Sequence, residues 1–234
     1  MIDLKKVLAV VPARKNSSFR SKNIQPILGK PMIQYTLDAV KKSGINCVIT
    51  SDDPNVLNYA SYYGFAQDER PRHLANDTAT LDQVITHIAE EYISQFYILL
   101  PPTSPLRSAE DIISSLSVYF SSRNDDGTEH RDFKFDSLIS VTSESRSIWK
   151  QSGANYFSPL VEITENRQQV RPVYIANGSI FISSSQAILK SGKKVSGRVG
   201  IYCMEPSHSV DVHDQDDIKL CEYYLNNLSN ETSK

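Results

Sequence analysis

Apolar residues fall into two patterns along this chain, and their alternation predicts its architecture. Short apolar runs at 7–11 and 96–100 suit strands covered on both faces, as in a parallel sheet, and 46–50 reads as another strand. Between them, Met32, Ile33, Tyr35, Leu37, Ala39 and Val40 recur at helical spacing, as do Leu81, Val84, Ile85, Ile88 and Ala89. Pro31 is suited to the first helical position and Gly44 to the left-handed stop that follows Lys41-Lys42-Ser43. A further helix over 54–63 closes at Gly64, with a short strand opening at Phe65-Ala66. Helices over 108–121 and 215–228 and strands over 136–141, 173–182, 199–203 and 208–212 complete the series. Strands alternating with helices throughout predict one α/β domain over 1–234, a three-layer fold on a mainly parallel sheet.

The polar stretches at the strand ends carry the chemistry. From Lys5 to Lys30 there are seven Lys or Arg and no Asp or Glu. Four of them, Arg14, Lys15, Arg20 and Lys22, lie in the loop after the first strand. In open α/β sheets the carboxyl ends of the strands form the ligand crevice. Loop amides with Lys and Arg beside them suit a polyphosphate, although a basic loop can also be a solvated surface. Ser51-Asp52-Asp53 ends the second strand, where an Asp either caps the next helix or binds a ribose or metal. Arg70 and Arg72 form a second cationic spot, and Asp77 or Thr78 is placed to cap the helix from Leu81. Pro101, Pro102 and Pro105 stiffen the loop after 96–100, which serves either as a pocket wall or as a rigid connection.

Residues 122–135 are charged and poor in apolar side chains, the pattern of an exposed linker. Residues 143–172 lack a period but contain Trp149, Tyr156, Phe157 and Leu160, which reads as an arm leaving the sheet. Asn177-Gly178 interrupts an apolar strand, the signal of a bulge or of close ligand approach.

Composition narrows the options. With 25 basic against 27 acidic residues the net charge is −2, and one basic loop is too narrow for a nucleic-acid face. No window approaches the length of a membrane span. Cys47, Cys203 and Cys221 are too few and too scattered for a metal knuckle or a disulfide framework. Without a signal-like N-terminus, this predicts a cytoplasmic protein.

The late segment Ser209-Val210-Asp211-Val212-His213-Asp214-Gln215-Asp216-Asp217 concentrates acid. As a strand, it would point Asp211 and His213 to one face, where a divalent cation could sit. The other reading is helix capping by Asp214, with Asp216 and Asp217 complementing the dipole. The chain has no G-x-G-x-x-G, no G-x-x-x-x-G-K-[ST] and no nucleophile elbow. What remains is substitution at phosphorus on a nucleotide, driven by positioning, cations and metal.

Six stretches, taken together, resemble the acylneuraminate cytidylyltransferases (CMP-sialic acid synthetases and relatives). They are VVPARKNSSFRSKN at 10–23, LGKPMIQYTLDA at 28–39, RPRHLANDTAT at 70–80, LLPPTSPLR at 99–107, NGSIFI at 177–182 and SVDVHDQDD at 209–217. The resemblance implies a Rossmann-like nucleotidyltransferase (nucleotide-diphospho-sugar transferase) fold with 143–172 as a dimerisation arm, and hence a homodimer. It implies transfer of CMP from CTP to the anomeric hydroxyl of a nonulosonic acid, with release of pyrophosphate. N-acylneuraminic acid is the first expectation for the sugar, with pseudaminic, legionaminic or 3-deoxy-manno-octulosonic acid as alternatives. A nucleotide-binding relative without catalysis is a further alternative. By the same resemblance, Arg14 and Lys22 match the phosphate binders, with Asn23 adjoining. Arg70 and Ala79 match positions lining the cytidine pocket. Arg167 and Asn177 fall where the family binds the sugar or ribose, and Arg107 joins them as a substrate-binding candidate. Asp211 matches the first metal-binding Asp, which makes Arg14, Lys22 and Asp211 the catalytic candidates. The basic loop is one residue shorter than the family pattern and lacks its usual Lys, leaving Arg20 to compensate. Pro101 replaces a frequent Gln. His213 stands where a second metal Asp is usual, so the metal expected on Asp211 and His213 is Mg²⁺ or the softer Mn²⁺.

Overall fold

The computed structural model describes residues 2–15, 22–121, 135–160 and 172–231, with side chains to residue 227. Its strands and helices follow in the order β1 (Val7–Pro12), β2 (Pro26–Ile27), β3 (Lys30–Pro31), α1 (Met32–Ser43), β4 (Asn46–Ser51), α2 (Pro54–Tyr62) and β5 (Ala66–Glu69). Then come α3 (Leu81–Glu91), β6 (Phe96–Leu99), α4 (Ala109–Ser121), β7 (Ser137–Glu144), β8 (Trp149–Gly153) and β9 (Tyr156–Pro159). The last elements are β10 (Val173–Ser184), α5 (Ser185–Ser191), β11 (Val199–Cys203) and α6 (Gln215–Glu231).

Seven strands form the main sheet in the order β11-β7-β10-β6-β1-β4-β5. Every neighbouring pair is parallel except those made by β10, which runs antiparallel to both β6 and β7. Side-chain alternation along β1 explains the layers. Val7, Ala9 and Val11 face one side and pack with Ile33, Leu37, Val56, Ala60, Ile112 and Leu116 of α1, α2 and α4. Val10 faces the other side, with Ile85, Ile88 and Ala89 of α3 and Ile188 of α5. A strand clothed on both faces must be apolar throughout, which is why 7–11 shows no polar alternation. A third cluster, with Ile27, Met32, Leu106, Val212, Ile218 and Cys221, seats α6 at the edge where the loops emerge.

The stop signals are read as expected at α1, where Gly44 closes the helix at φ 71°. At α3 the cap differs from the expectation of Asp77 or Thr78. Thr80 is the N-cap, in a reciprocal capping box with Gln83, while Asn76 accepts from the amides of Thr78 and Ala79 in the preceding turn. A larger correction concerns 208–212, which is not a strand. Pro206–His208 forms a 3₁₀ turn and the chain continues irregularly to α6. The alternation of Val210 and Val212 reflects burial of Val212 beneath α6, not sheet pairing.

The arm expected over 143–172 lies partly outside the described residues. Residues 143 and 144 finish β7, and β8 and β9 form a separate two-stranded hairpin on which Trp149, Tyr156 and Phe157 are exposed. Cys47, Cys203 and Cys221 are free thiols. No described helix is long and apolar enough to cross a membrane.

Candidate active site

Chain direction in the sheet sends the loops after β1, β4 and β6 out at one edge. β10 reaches that edge from the opposite direction: Phe181 pairs with Leu99 near the end of β6, so Asn177 and Gly178 lie just beyond it. The register of β10 on β7 shifts between Ala176 and Phe181, which is the bulge expected from Asn177-Gly178. The edge therefore collects all of the candidate segments save those outside the described residues.

The loop after β1 is closed by its own ends. Asn23 Nδ2 donates to the backbone carbonyl of Arg14 at 2.8 Å, and the Lys15 amide donates to Asp52 Oδ1 at 2.8 Å. Asp53 caps α2 by accepting from the Asn55 amide. The Asp pair is thus used in holding the loop and the helix, which answers the choice between capping and ligand binding for Asp53. Arg14 is partly exposed and donates to the carbonyl of Asn76, with Asp77 Oδ1 at 3.0 Å. The turn bearing Ala79 is consequently tied to the first loop.

Lys22 and Asn23 lie in a 3₁₀ turn and are 6 % and 8 % exposed. Burial lowers the pKa of Lys22, and the carboxylates of Asp211, Asp217 and Asp214 oppose that shift. The first basic loop and the late acidic segment, far apart in sequence, meet here. Arg70 is also buried, with Nη2 on the Thr50 carbonyl at 2.8 Å. Burial lowers its pKa, opposed by Asp52 and Asp68, while Arg14 is close enough to add to the lowering. Arg70 therefore pairs with Arg14, not with the exposed Arg72, in forming a cationic wall.

Asp211 is within electrostatic reach of Lys22. Its Oδ2 is 3.0 Å from His213 Nε2, and its Oδ1 is buried with no hydrogen-bond partner among the described residues. A buried carboxylate oxygen without a donor is costly unless something positive meets it. Gly178 makes room for this carboxylate: at φ +70° a side chain would be strained, and its Cβ would lie 3.3 Å from Asp211 Oδ2. Among the described residues no three Asp, Glu, His or Cys side chains gather as a ready-made metal cage. The orphaned Oδ1 is nonetheless the hard oxygen donor that Mg²⁺ or Mn²⁺ requires, with phosphate and water oxygens to fill the remaining positions. His213 is engaged with Asp211 and adds no second carboxylate. Asp214 caps α6 by accepting from the amides of Asp216 and Asp217, as the capping reading has it.

Two substrate-binding candidates are held by hydrogen bonds within the protein. Arg107 is 2 % exposed. Nη1 donates to the Ser179 carbonyl at 2.7 Å and the Pro101 carbonyl at 3.3 Å, and Nη2 to Thr36 Oγ1 at 2.9 Å. A cation at this position braces the proline-rich loop, β10 and α1 beneath the site. Asn177 is similarly committed. Its Oδ1 accepts from Ser140 Oγ at 2.6 Å, and its Nδ2 donates to Ser209 Oγ at 2.9 Å. It ties the bulge to the segment that carries Asp211. Arg167 and Arg20 lie outside the described residues. Asn76, Ser140, Ser179 and Ser209 escaped the sequence reading because single Ser and Asn residues in strands and turns carry no spacing signal.

A three-layer sheet whose carboxyl edge holds buried cations against an acidic segment defines a nucleotidyltransferase-type fold. A solved structure titled as CMP:2-keto-3-deoxy-manno-octonic acid synthetase complexed with CTP superposes with a TM-score of 0.67 at 16% identity, covering 97% of this chain and 100% of that one. The chain belongs to the cytidylyltransferase family of enzymes, whose model matches residues 8–219. It is 28% identical over 226 residues to the N-acylneuraminate cytidylyltransferase of Escherichia coli O18:K1:H7, across 92% of this chain and 51% of that protein. It therefore spans about half the length of that relative. It is also 28% identical over 235 residues to the post-translational flagellin modification protein B of Campylobacter coli, across 95% of this chain and 96% of that protein.

Proposed function

We propose that this protein transfers CMP from CTP to the anomeric hydroxyl of a sialic-acid-like nonulosonic acid, with release of pyrophosphate. The observation that carries the reading is the buried Lys22, within electrostatic reach of Asp211, together with an Asp211 Oδ1 that has no hydrogen-bond partner among the described residues. A buried ammonium with no ion pair among the described residues suits a phosphate anion, and a carboxylate oxygen without a partner suits the cation that accompanies a nucleoside triphosphate. Arg14 and Lys22 hold the triphosphate, and Asn23 keeps the loop closed around it. Arg70 and the Ala79 turn line the nucleoside side. The sugar oxygen attacks the α-phosphorus, the bond from that phosphorus to the pyrophosphate oxygen breaks, and the hydroxyl proton passes to solvent. Asp211, through Oδ1, would hold Mg²⁺ or Mn²⁺, whose chemistry is to neutralise charge growing on the phosphate oxygens. Arg14 and Lys22 stabilise the same charge.

The acceptor is drawn from the nonulosonic acids: N-acylneuraminic acid first, with pseudaminic, legionaminic and 3-deoxy-manno-octulosonic acids as the alternatives. Support for this class comes from family membership and from similarity to the E. coli enzyme. The exposed Trp149, Tyr156 and Phe157 of the β8–β9 hairpin, together with Tyr174 and Ile175 of β10, support a homodimer built on the arm. The engagement of His213 with Asp211 favours one other reading, a nucleotide-binding relative that has lost turnover.

Pyrophosphate release measured with CTP, Mg²⁺ or Mn²⁺ and a panel of nonulosonic acids tests the proposal. Turnover with CTP and one sugar, and none with ATP, GTP or UTP, is the expected result. CTP binding without pyrophosphate release on any acceptor would establish the second reading in its place.

A further inference from the structure

Residues 204–213 cross the carboxyl edge of the sheet without joining it, yet Asp211 must be held in one place to be useful. The segment is tethered from outside. The Met204 amide donates to the Val141 carbonyl at 2.8 Å, and the Val212 amide to the Thr103 carbonyl at 2.8 Å. Two tethers depend on side chains. Asn177 reaches Ser209, and His208 Nδ1 lies 2.9 Å from Asp111 Oδ2, a pairing across 97 residues of chain.

Asp111 is a fixed post for that second tether. Its side chain is 8 % exposed and sits in the first turn of α4. Oδ2 accepts from the Ser108 amide at 2.8 Å and from Ser108 Oγ at 2.7 Å, while Ser108 Oγ receives the Asp111 amide at 3.0 Å. Oδ1 receives Tyr202 Oη at 3.3 Å. A carboxylate bonded in this way has little rotamer freedom left, so whatever binds it inherits its position. His208 is three residues before Asp211 and its ring is one-quarter exposed.

We propose that His208 is a positioning residue for cytidylyl transfer: by donating from Nδ1 to Asp111 it fixes the 204–213 segment and so keeps the Asp211 carboxylate in place against Gly178. The inference rests on the cytidylyltransferase reading above, and its geometry stands apart from it. His208 touches neither substrate nor metal, and its effect reaches the reaction only through where Asp211 stands. Misplacing a reacting or ligating group by about 1 Å costs about a hundredfold in rate.

The test compares His208→Ala with His208→Asn, whose amide nitrogen can take the place of Nδ1. Two readouts are used: steady-state kinetics with CTP, and hydrogen exchange at the amides of Val212 and His213. For His208→Ala we expect kcat to fall about 10- to 100-fold with the KM for CTP within about threefold. Exchange at the two amides should rise about tenfold. His208→Asn should restore both. Unchanged kcat and exchange in His208→Ala would overturn the clasp and leave the proposed reaction standing. Equal losses in the Ala and Asn variants would overturn the role of the Nδ1 donor. If the wild type turns over no acceptor, the functional reading fails, and exchange alone decides whether the clasp exists. Should His208→Ala not fold, His208→Leu keeps the volume without the donor and is read in the same way.

Discussion

The side-chain amide of Asn23 donates to the backbone carbonyl of Arg14 at 2.8 Å and ties the two ends of the basic loop together. The bond makes the loop's two ends one unit, so the cations at those ends keep a fixed spacing before any nucleotide arrives. Asn23→Ala removes it. The expected loss is about 1 kcal/mol of stability. CTP affinity should fall about tenfold, since the phosphate must then order the loop itself. Titration calorimetry with CTP checks this; unaltered affinity would show that the loop is ordered without the bond.

Arg14 is the partly exposed member of the cationic wall, with Asn76 and Asp77 as its partners. Arg14→Ala should cost about 2 to 4 kcal/mol in kcat/KM, the scale of one positioned donor to a developing charge. Arg14→Lys keeps the charge without the planar fork and should recover only part of that loss. Kinetics at saturating acceptor discriminate the three proteins, and full activity in the Ala variant would remove Arg14 from the site.

Asp211 and His213 can be separated by exchange of side chains. Asp211→Asn should abolish metal-dependent turnover while circular dichroism stays that of the wild type. His213→Asp supplies a second carboxylate and should lower the half-activating Mg²⁺ concentration about tenfold. If Mg²⁺ activation is the same in His213→Asp, the position has no part in metal binding.

Arg107 is expected to matter for stability and not for substrate affinity. Arg107→Met leaves the carbonyls of Ser179 and Pro101 and the Thr36 hydroxyl without their donor, which should cost about 2 to 5 kcal/mol in urea unfolding. The KM for the sugar should change by less than about threefold in the folded protein. A large rise in that KM would return Arg107 to the binding residues.

The His208–Asp111 pair gives stability a pH dependence of known sign. The hydrogen bond to Asp111 raises the pKa of His208 against the lowering effect of burial, with Asp111, Glu205 and Glu110 adding to the rise. A raised folded pKa contributes stability that is complete below the unfolded value of about 6.5 and is lost as pH rises through the folded value. Burial pushes Asp111 up, but hydrogen bonds from His208 and Ser108 outweigh it and hold the group low. That contribution is complete above about pH 4 and disappears as pH falls through the depressed value. Urea midpoints should therefore decline above about pH 6.5 in the wild type, and less so in His208→Asn.

Local patterns were enough to state much of this protein. The apolar run at 7–11 and the helical period from Met32 to Gly44 are properties of neighbours in the chain, and local sterics and burial settle them. The basic loop could be placed at a ligand edge because strand direction in a parallel sheet sends such loops to one side. Tertiary structure decided which polar groups are free. Arg107 and Asn177 look like ligand residues in a string of letters, yet the bonds that engage them come from Thr36, Ser140, Ser179 and Ser209, which no spacing rule connects to them. The segment 208–212 alternates like a strand, but it lies where the sheet has no edge to offer it, and Val212 is buried under α6 instead. Lys22 and Asp211 come within electrostatic reach only through the fold, and Gly178 in the bulge of β10 leaves room for the Asp211 carboxylate. Which charges meet depends on such long-range packing, and a one-dimensional pattern does not contain it.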